Sequence, residues 1–247
     1  MQSNIRVIII IQARMTSTRL PGKILLPLCD RTVLGVVIDR LKQYKDNVIV
    51  ATTDDGTEAP IIDLCKRNNI RYYQGSTDDV LERYYLSAKN FHAKGTDIII
   101  RITSDCPLID AGLLDKCIDM YQSGQYDYVS NRLNRTVPVG LDVEVFNFKL
   151  LEYIHKNAKE DYEREHVTPY IYLTEKENYN LGSCEESIDN SQYRLTLDES
   201  SDYEAIKEVY KKFNNKIDFD YDELIELLER NPYIKEINYS VSQKQIR

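Results

Sequence analysis

Short apolar runs rich in β-branched residues, at 6–11, 47–52, 70–74 and 97–102, alternate with longer stretches of helical periodicity at 33–44, 58–68 and 80–92. The runs predict buried strands and the stretches predict helices. This β-α-β-α rhythm constrains the chain to a mostly parallel sheet, because parallel neighbours need a crossover and the crossover is right-handed. Ligands of such sheets bind beyond the carboxyl ends of the strands. Three polar segments follow strands in this sequence: the loop after Ile11, the pair Asp54-Asp55, and Ser104-Asp105. One fold rule therefore brings all three to one edge.

The first segment is chemically the most specific. The run Ile8-Ile9-Ile10-Ile11 gives way to Gln12-Ala13-Arg14-Met15-Thr16-Ser17-Thr18-Arg19-Leu20-Pro21-Gly22-Lys23. No acidic residue precedes Asp30, although the formal net charge of the chain is -8. Arg14, Arg19 and Lys23 at the end of a strand suit a polyphosphate. Arg forks and a Lys point charge neutralise its oxygens, Ser17 and Thr18 offer hydroxyls, and backbone N–H groups complete the cradle. Two familiar phosphate loops are excluded. A Walker A motif opens on Gly and places Ser or Thr after its Gly-Lys pair; the residues here are Ser17 and Ile24. A dinucleotide fingerprint needs closely spaced glycines, and this loop has Gly22 alone.

Composition narrows the class. At 247 residues, 42% hydrophobic and 29% charged, the chain fits a single soluble α/β domain. Its acidic balance argues against a nucleic-acid partner. Five cysteines (Cys29, Cys65, Cys106, Cys117, Cys184) are scattered and never form a C-x-x-C pair. That pattern fits reduced thiols in a cytoplasmic protein better than a disulfide framework or a zinc site. No apolar stretch is long enough to span a bilayer, so no membrane partner is expected, and no small-residue cleavage site follows the first run.

The rhythm changes near Gln125. Segments 126–131 and 137–148 read as strands or a hairpin, punctuated by Pro138 and Gly140. Helical patterns follow at 149–157 and 161–174, strand-like ones at 178–184 and 193–196, then helices at 202–213 and 222–229. The polar tail from Asn238 is expected to fray. An apolar strand pair in 126–148, standing outside the main sheet, would expose an edge, and a symmetric second copy is a simple cover for it. A homodimer through this segment is therefore expected.

Two carboxylates follow apolar strands at distant points: Asp105 in Ser-Asp-Cys-Pro, and Asp198 after the segment 193–197. Mg²⁺ prefers one or two carboxylates, waters and substrate phosphates, which suits such a pair. Capping of the following helix is the alternative use of each, and Asp202 competes with Asp198. Asp142 and Glu144 alternate with apolar neighbours and would share one face of a strand. If that face lines a cleft, they can hold acceptor hydroxyls or amines. His166, one of three histidines, precedes Val-Thr-Pro. His92 and His155 read as helix-surface residues, and the acidic patches at 160–161, 185–186 and 218–223 as solvated faces.

The loop pattern QARMTSTRLPGK resembles the start of the cytidylyltransferase family, which includes the CMP-sugar-acid synthetases for 3-deoxy-manno-octulosonate and acylneuraminate. It looks most like the spore coat polysaccharide protein F group. Further similarity recurs in order at 50–55 (VATTDD), 101–110 (RITSDCPLID), 140–146 (GLDVEVF), 164–170 (REHVTPY) and 197–203 (LDESSDY). The resemblance implies a three-layer nucleotide-diphospho-sugar-transferase-like α/β fold with a hairpin insertion. It implies CMP transfer from CTP to a sugar acid or related acidic acceptor, with loss of pyrophosphate. It further implies nucleotide contacts at Gln12, Ala13, Arg14, Ser17, Thr18, Arg19, Lys23, Thr53, Asp54, Arg101 and Ser104. Arg14, Lys23 and Asp105 take the catalytic roles, Asp105 and Asp198 hold Mg²⁺, and Asp142, Glu144 and His166 meet the acceptor. Alternatives stay open: an acceptor bearing phosphate or phosphonate, a nucleotide-sugar-dependent glycosyltransferase, or a non-catalytic nucleotide binder. A glycosyltransferase would use Asp-x-Asp at a strand end, and Asp54-Asp55 and Asp142-Val143-Glu144 match that poorly.

Overall fold

A computed structural model describes residues 5–243. The first run becomes β1 (Val7–Ala13), and its isoleucines explain the architecture. Successive strand side chains point to opposite faces. Ile9 and Ile11 enter one core cluster, Ile8 and Ile10 another, and all four are buried. A strand apolar on both faces needs helices on both sides.

The other strands of its sheet are β2 (Val48–Thr53), β3 (Arg71–Gly75), β4 (Ile98–Thr103), β5 (Tyr128–Ser130), β6 (Glu144–Asn147) and β7 (Leu181–Ser183), and Pro27–Leu28 pairs with Arg31–Thr32 in a separate short hairpin. They form one seven-stranded sheet in the order β3-β2-β1-β4-β6-β5-β7. The first four positions are parallel, as the rhythm predicts. On one face pack α1 (Val33–Arg40), α2 (Ala59–Asn68) and α4 (Ala111–Gln122). On the other pack α3 (Val80–Asn90) and α5 (Phe148–Asn157). The short α6 (Asp161–His166) follows α5. A third apolar cluster joins α7 (Ser200–Lys212), α8 (Tyr221–Arg230) and α9 (Tyr233–Ile237) to the body through Leu108, Val137, Leu141 and Leu197. Among the described residues no helix is long and apolar enough to cross a membrane.

Several expectations need correction. The 126–148 segment is not a strand pair outside the sheet. β6 pairs antiparallel with β4, β5 pairs antiparallel with β6, and β7 covers β5. The edge on which the homodimer argument stood is therefore already paired. Between β5 and β6 the chain loops, touching strand geometry at the single bridge Val139–Arg194, which is also all that remains of the strand read at 193–196. The run at 70–74 becomes β3, an edge strand whose residues are largely open to solvent. The helix read over 161–174 breaks at Val167, whose φ of 73° no helix tolerates, and resumes as a wide turn at Tyr170–Thr174. Asn238, placed at the start of a frayed tail, is buried, and its side-chain amide donates to Arg194 O at 3.0 Å and Asp202 Oδ1 at 2.9 Å. The rest of that tail from residue 244 lies outside the described residues.

β2 and β3 lie on one side of β1 and β4 on the other, so the chain switches direction between β1 and β4. A crevice opens at the carboxyl ends of strands at such a point. Gly140 fixes the approach of one wall. Its φ is 107°, and a Cβ there would lie 2.5 Å from both Leu195 C and Thr196 N. Gly140→Ala should therefore cost about 2 kcal/mol or more in urea unfolding, and it should lower activity as well, because Thr196 leads directly to Asp198.

Candidate active site

At the switch point lies a cavity of about 600 Å³. β1 and its loop contribute Gln12, Ala13, Arg14, Ser17, Thr18, Arg19 and Lys23 to its wall. β4 and the turn after it contribute Arg101, Ser104 and Asp105, and Asp142, His166 and Asp198 join them, whereas Thr53, Asp54 and Glu144 do not line it. The loop is folded on itself. Ser17 and Gly22 N–H both donate to Met15 O, at 3.0 and 2.9 Å. Gly22, at φ 68°, then turns the chain into the short 3₁₀ segment Lys23–Leu25. This aims Lys23 inward, where 8% of it stays exposed.

Lys23 Nζ donates to Asp105 Oδ2 at 2.6 Å, Asp198 Oδ1 at 2.9 Å and Leu197 O at 2.6 Å. Burial alone would depress this ammonium, but the two carboxylates outweigh burial and raise its pKa above the ordinary value. Asp198 shows the converse. Burial opposes its charge, yet Lys23, Arg19 and Arg194 hold its pKa below the carboxylate range. Arg19 reaches Asp198 Oδ1 at 2.8 Å and Arg194 reaches Oδ2 at 2.9 Å.

The competition between Asp198 and Asp202 is resolved by orientation. Asp202 is fully buried, accepts from the backbone N–H groups of Asp198 and Glu199 at 3.0 Å each, and pairs with Arg194 Nε at 2.9 Å. It is the N3 residue of a capping box whose N-cap is Glu199, and of the two aspartates Asp198 is the one in the cavity wall. Among the described residues no three metal-ligating side chains cluster. The protein donors on offer to a cation are thus Asp105, Asp198 and the Leu197 carbonyl.

The acceptor-side expectations change most. Glu144 does not face the cavity; it is fully buried beneath it. Its carboxylate accepts from Arg101 Nη1 at 2.5 Å, Arg132 Nη1 at 3.1 Å, Tyr128 OH at 2.7 Å and the Thr168 hydroxyl. Burial would raise its pKa, but Arg101 and Arg132, helped by the hydroxyls, bring it to about 2. Arg101 in turn donates to Gln12 Oε1 at 3.2 Å. Asp142 lines the cavity but is held by Arg135 through contacts of 2.6 and 3.0 Å. The strand face expected to join Asp142 and Glu144 does not exist, because β6 begins only at Glu144.

Val167 (φ 73°, ψ -55°) forms a γ-turn closed by Thr168 N–H on His166 O at 2.9 Å. That conformation is strained for a β-branched residue, and it sits between the hydroxyl on Glu144 and the imidazole in the wall. Burial keeps His166 below the ordinary histidine pKa. Thr53 is buried at the end of β2 and Asp54 is exposed beside it, both outside the cavity wall. His155 is not a simple surface residue: it stacks on Tyr85 with ring centroids 4.3 Å apart.

Sequence reading missed Arg83, Arg132, Arg135, Tyr172 and Thr196, all of which line the cavity. Arg83 left a signal, a cation on the buried stripe of α3 alongside Val80, Tyr84 and Ser87. Arg132 and Arg135 lie in a loop without periodicity and left none.

Comparison with known proteins places this geometry. A family model described as Cytidylyltransferase matches residues 8–246. The spore coat polysaccharide biosynthesis protein SpsF of Bacillus subtilis is 38% identical, covering 92% of this chain and 95% of its own. The structure of a cytidylyltransferase from Leptospira borgpetersenii is 37% identical with a TM-score of 0.88, covering 98% of this chain and 100% of that one. CMP:2-keto-3-deoxy-manno-octonic acid synthetase complexed with CTP shares the fold at 15% identity, with a TM-score of 0.63 over 84% of this chain and 99% of that one.

The buried carboxylate generates a test. Glu144→Gln leaves Arg101 and Arg132 without a counter-charge, which should cost about 3 kcal/mol or more. A carboxylate with a depressed pKa contributes stability that is complete above its unfolded pKa and is lost as pH falls towards the folded one. Wild type should therefore lose stability between the ordinary glutamate range and about pH 2, and Glu144→Gln should flatten that part of the profile. Urea titrations across this range check both.

Proposed function

The chain belongs to the cytidylyltransferase family, and from that premise we propose that it transfers CMP from CTP to a sugar acid or related acidic acceptor in surface-polysaccharide synthesis. An acceptor oxygen attacks the α-phosphorus, the bond from that phosphorus to the β-bridging oxygen breaks, and pyrophosphate leaves. The reaction needs in-line positioning and compensation of phosphate charge more than covalent help. Arg14, Arg19 and Lys23 supply that charge. Gln12, held by Arg101, and the hydroxyls of Ser17 and Thr18 orient the nucleotide. His166, kept neutral near pH 7 by burial, is an available proton acceptor on the acceptor side.

The observation that carries this reading is the meeting of Lys23 with Asp105 and Asp198. Two carboxylates and a carbonyl that already hold one cation, the Lys23 ammonium, have the donor chemistry of a Mg²⁺ site whose remaining ligands are water and phosphate. Asp105 and Asp198 would hold the ion, and when bound it supplies Lewis-acid stabilisation at the phosphates. A glycosyltransferase reading gains no support, because Glu144 of the Asp-x-Glu segment is buried in an ion pair and Asp54-Asp55 lies off the cavity wall. A homodimer through residues 126–148 is also proposed, although the strand edges there are paired within the chain. Sedimentation at micromolar concentration checks it, and an active 28.9 kDa species would count against it.

The decisive assay incubates the protein with CTP, Mg²⁺ and a panel of 2-keto sugar acids and phosphate- or phosphonate-bearing acceptors, and measures pyrophosphate. Release should require both CTP and one acidic acceptor, and EDTA should abolish it. Lys23→Ala and Asp105→Asn should each reduce it at least about 100-fold while the protein stays folded. Absence of release across the panel, or an EDTA-insensitive reaction, would sink the reading.

A further inference from the structure

α3 carries an arginine where an amphipathic helix places an apolar residue. Arg83 is 1% exposed and shares the buried stripe of Val80, Tyr84 and Ser87. Its stem packs beside Gly75 at the end of β3, where a Cβ would lie in ordinary contact with Arg83 Cγ at 3.5 Å. One guanidinium nitrogen donates to Ser76 O, and Nε is buried with no partner. Among the described residues no carboxylate pairs with it.

Other buried and half-buried arginines are compensated. Arg101 and Arg132 share Glu144, Arg194 holds Asp198 and Asp202, and Arg40 has Asp110 at 3.6 Å with three backbone carbonyls. Burial, with Arg14 as a like-charged neighbour, lowers the pKa of Arg83; Tyr84, Asp54 and Asp55 oppose that, but neither aspartate forms an ion pair with it. A guanidinium does not escape by deprotonation, so its charge stays. A buried cation without a counter-charge is costly unless something outside the protein supplies one. Arg83 touches the same cavity as Gln12, Ala13 and Arg14.

We propose that Arg83 is a nucleotide-binding residue that takes an anionic oxygen of the CTP triphosphate, which provides the counter-charge the protein withholds. This rests on the reading of the cavity as a CTP site. The competing role is structural: through the Ser76 carbonyl, Arg83 ties the loop before α3 to the helix. The two roles predict opposite stability effects. If the charge is kept for the ligand, removing it relieves the free protein and weakens binding. If the residue is a tie, removing it loosens the free protein and leaves binding alone.

The test measures thermal melting and calorimetric binding of CTP and of inorganic pyrophosphate for wild type, R83K, R83Q and R83M. The expected result is a melting temperature for R83M at or above wild type without ligand. CTP affinity should be lower by about tenfold or more, the loss of a charge-assisted contact. Pyrophosphate should weaken in step, and R83K should fall between. Any folded variant that lacks the guanidinium and binds CTP like wild type overturns the proposal. So does a variant that loses CTP but keeps pyrophosphate, since the contact would then be with the base. Wild type that binds no CTP overturns the nucleotide reading of the cavity itself, and with it this assignment.

Discussion

One ammonium joins three distant parts of the chain. Lys23 belongs to the loop after β1, Asp105 to the turn after β4, and Asp198 to the segment before α7. Each is placed by a different packing problem: the two-faced burial of β1, the parallel pairing of β4 beside it, and the apolar cluster that seats α7 and α8. The ion pairs are short and mostly buried, so each partner is expensive to leave alone. The three packing solutions are thereby coupled, and together they set the shape of the cavity.

Beneath the cavity, Glu144 supports the opposite wall by a similar rule with the signs reversed. One carboxylate serves two guanidiniums and two hydroxyls, and the strained turn at Val167 delivers one of those hydroxyls. A network with every acceptor site filled is rigid. It leaves Arg101 aimed at Gln12 and Arg132 aimed at the cavity, with a net positive charge between them. That wall of the cavity is thus lined by guanidinium groups, two of them set in direction by a carboxylate hidden from it.

The parallel half of the sheet was legible because its physics is local: an unbroken apolar run cannot be satisfied except between two helical layers. The cationic loop was legible because charge of one sign in an acidic chain needs a cause. β5 and β6 were misplaced because they contribute three and four residues to the sheet, and such short strands owe their position to neighbours far away in sequence. Asp142 and Glu144 illustrate the limit. Their alternation was real, but the chain between them is not a strand, and one went to the core while the other stayed at the surface of the cavity. Asp198 and Asp202 could not be separated by spacing, since both follow the same apolar segment; the backbone N–H groups that claim Asp202 become visible only once α7 is formed.

Asn238 is anchored to Arg194 and Asp202, and Gln243 bonds to Arg194 and lines the cavity. The last described residues therefore belong to the surroundings of the cavity and add to its polar surface. At the other end, β1 runs seven residues from its first residue to the cavity, about 20 Å at the rise of an extended strand. The first described residues are thus separated from the cavity by the full depth of the sheet. The two ends of the described residues are therefore unequal neighbours of the cavity.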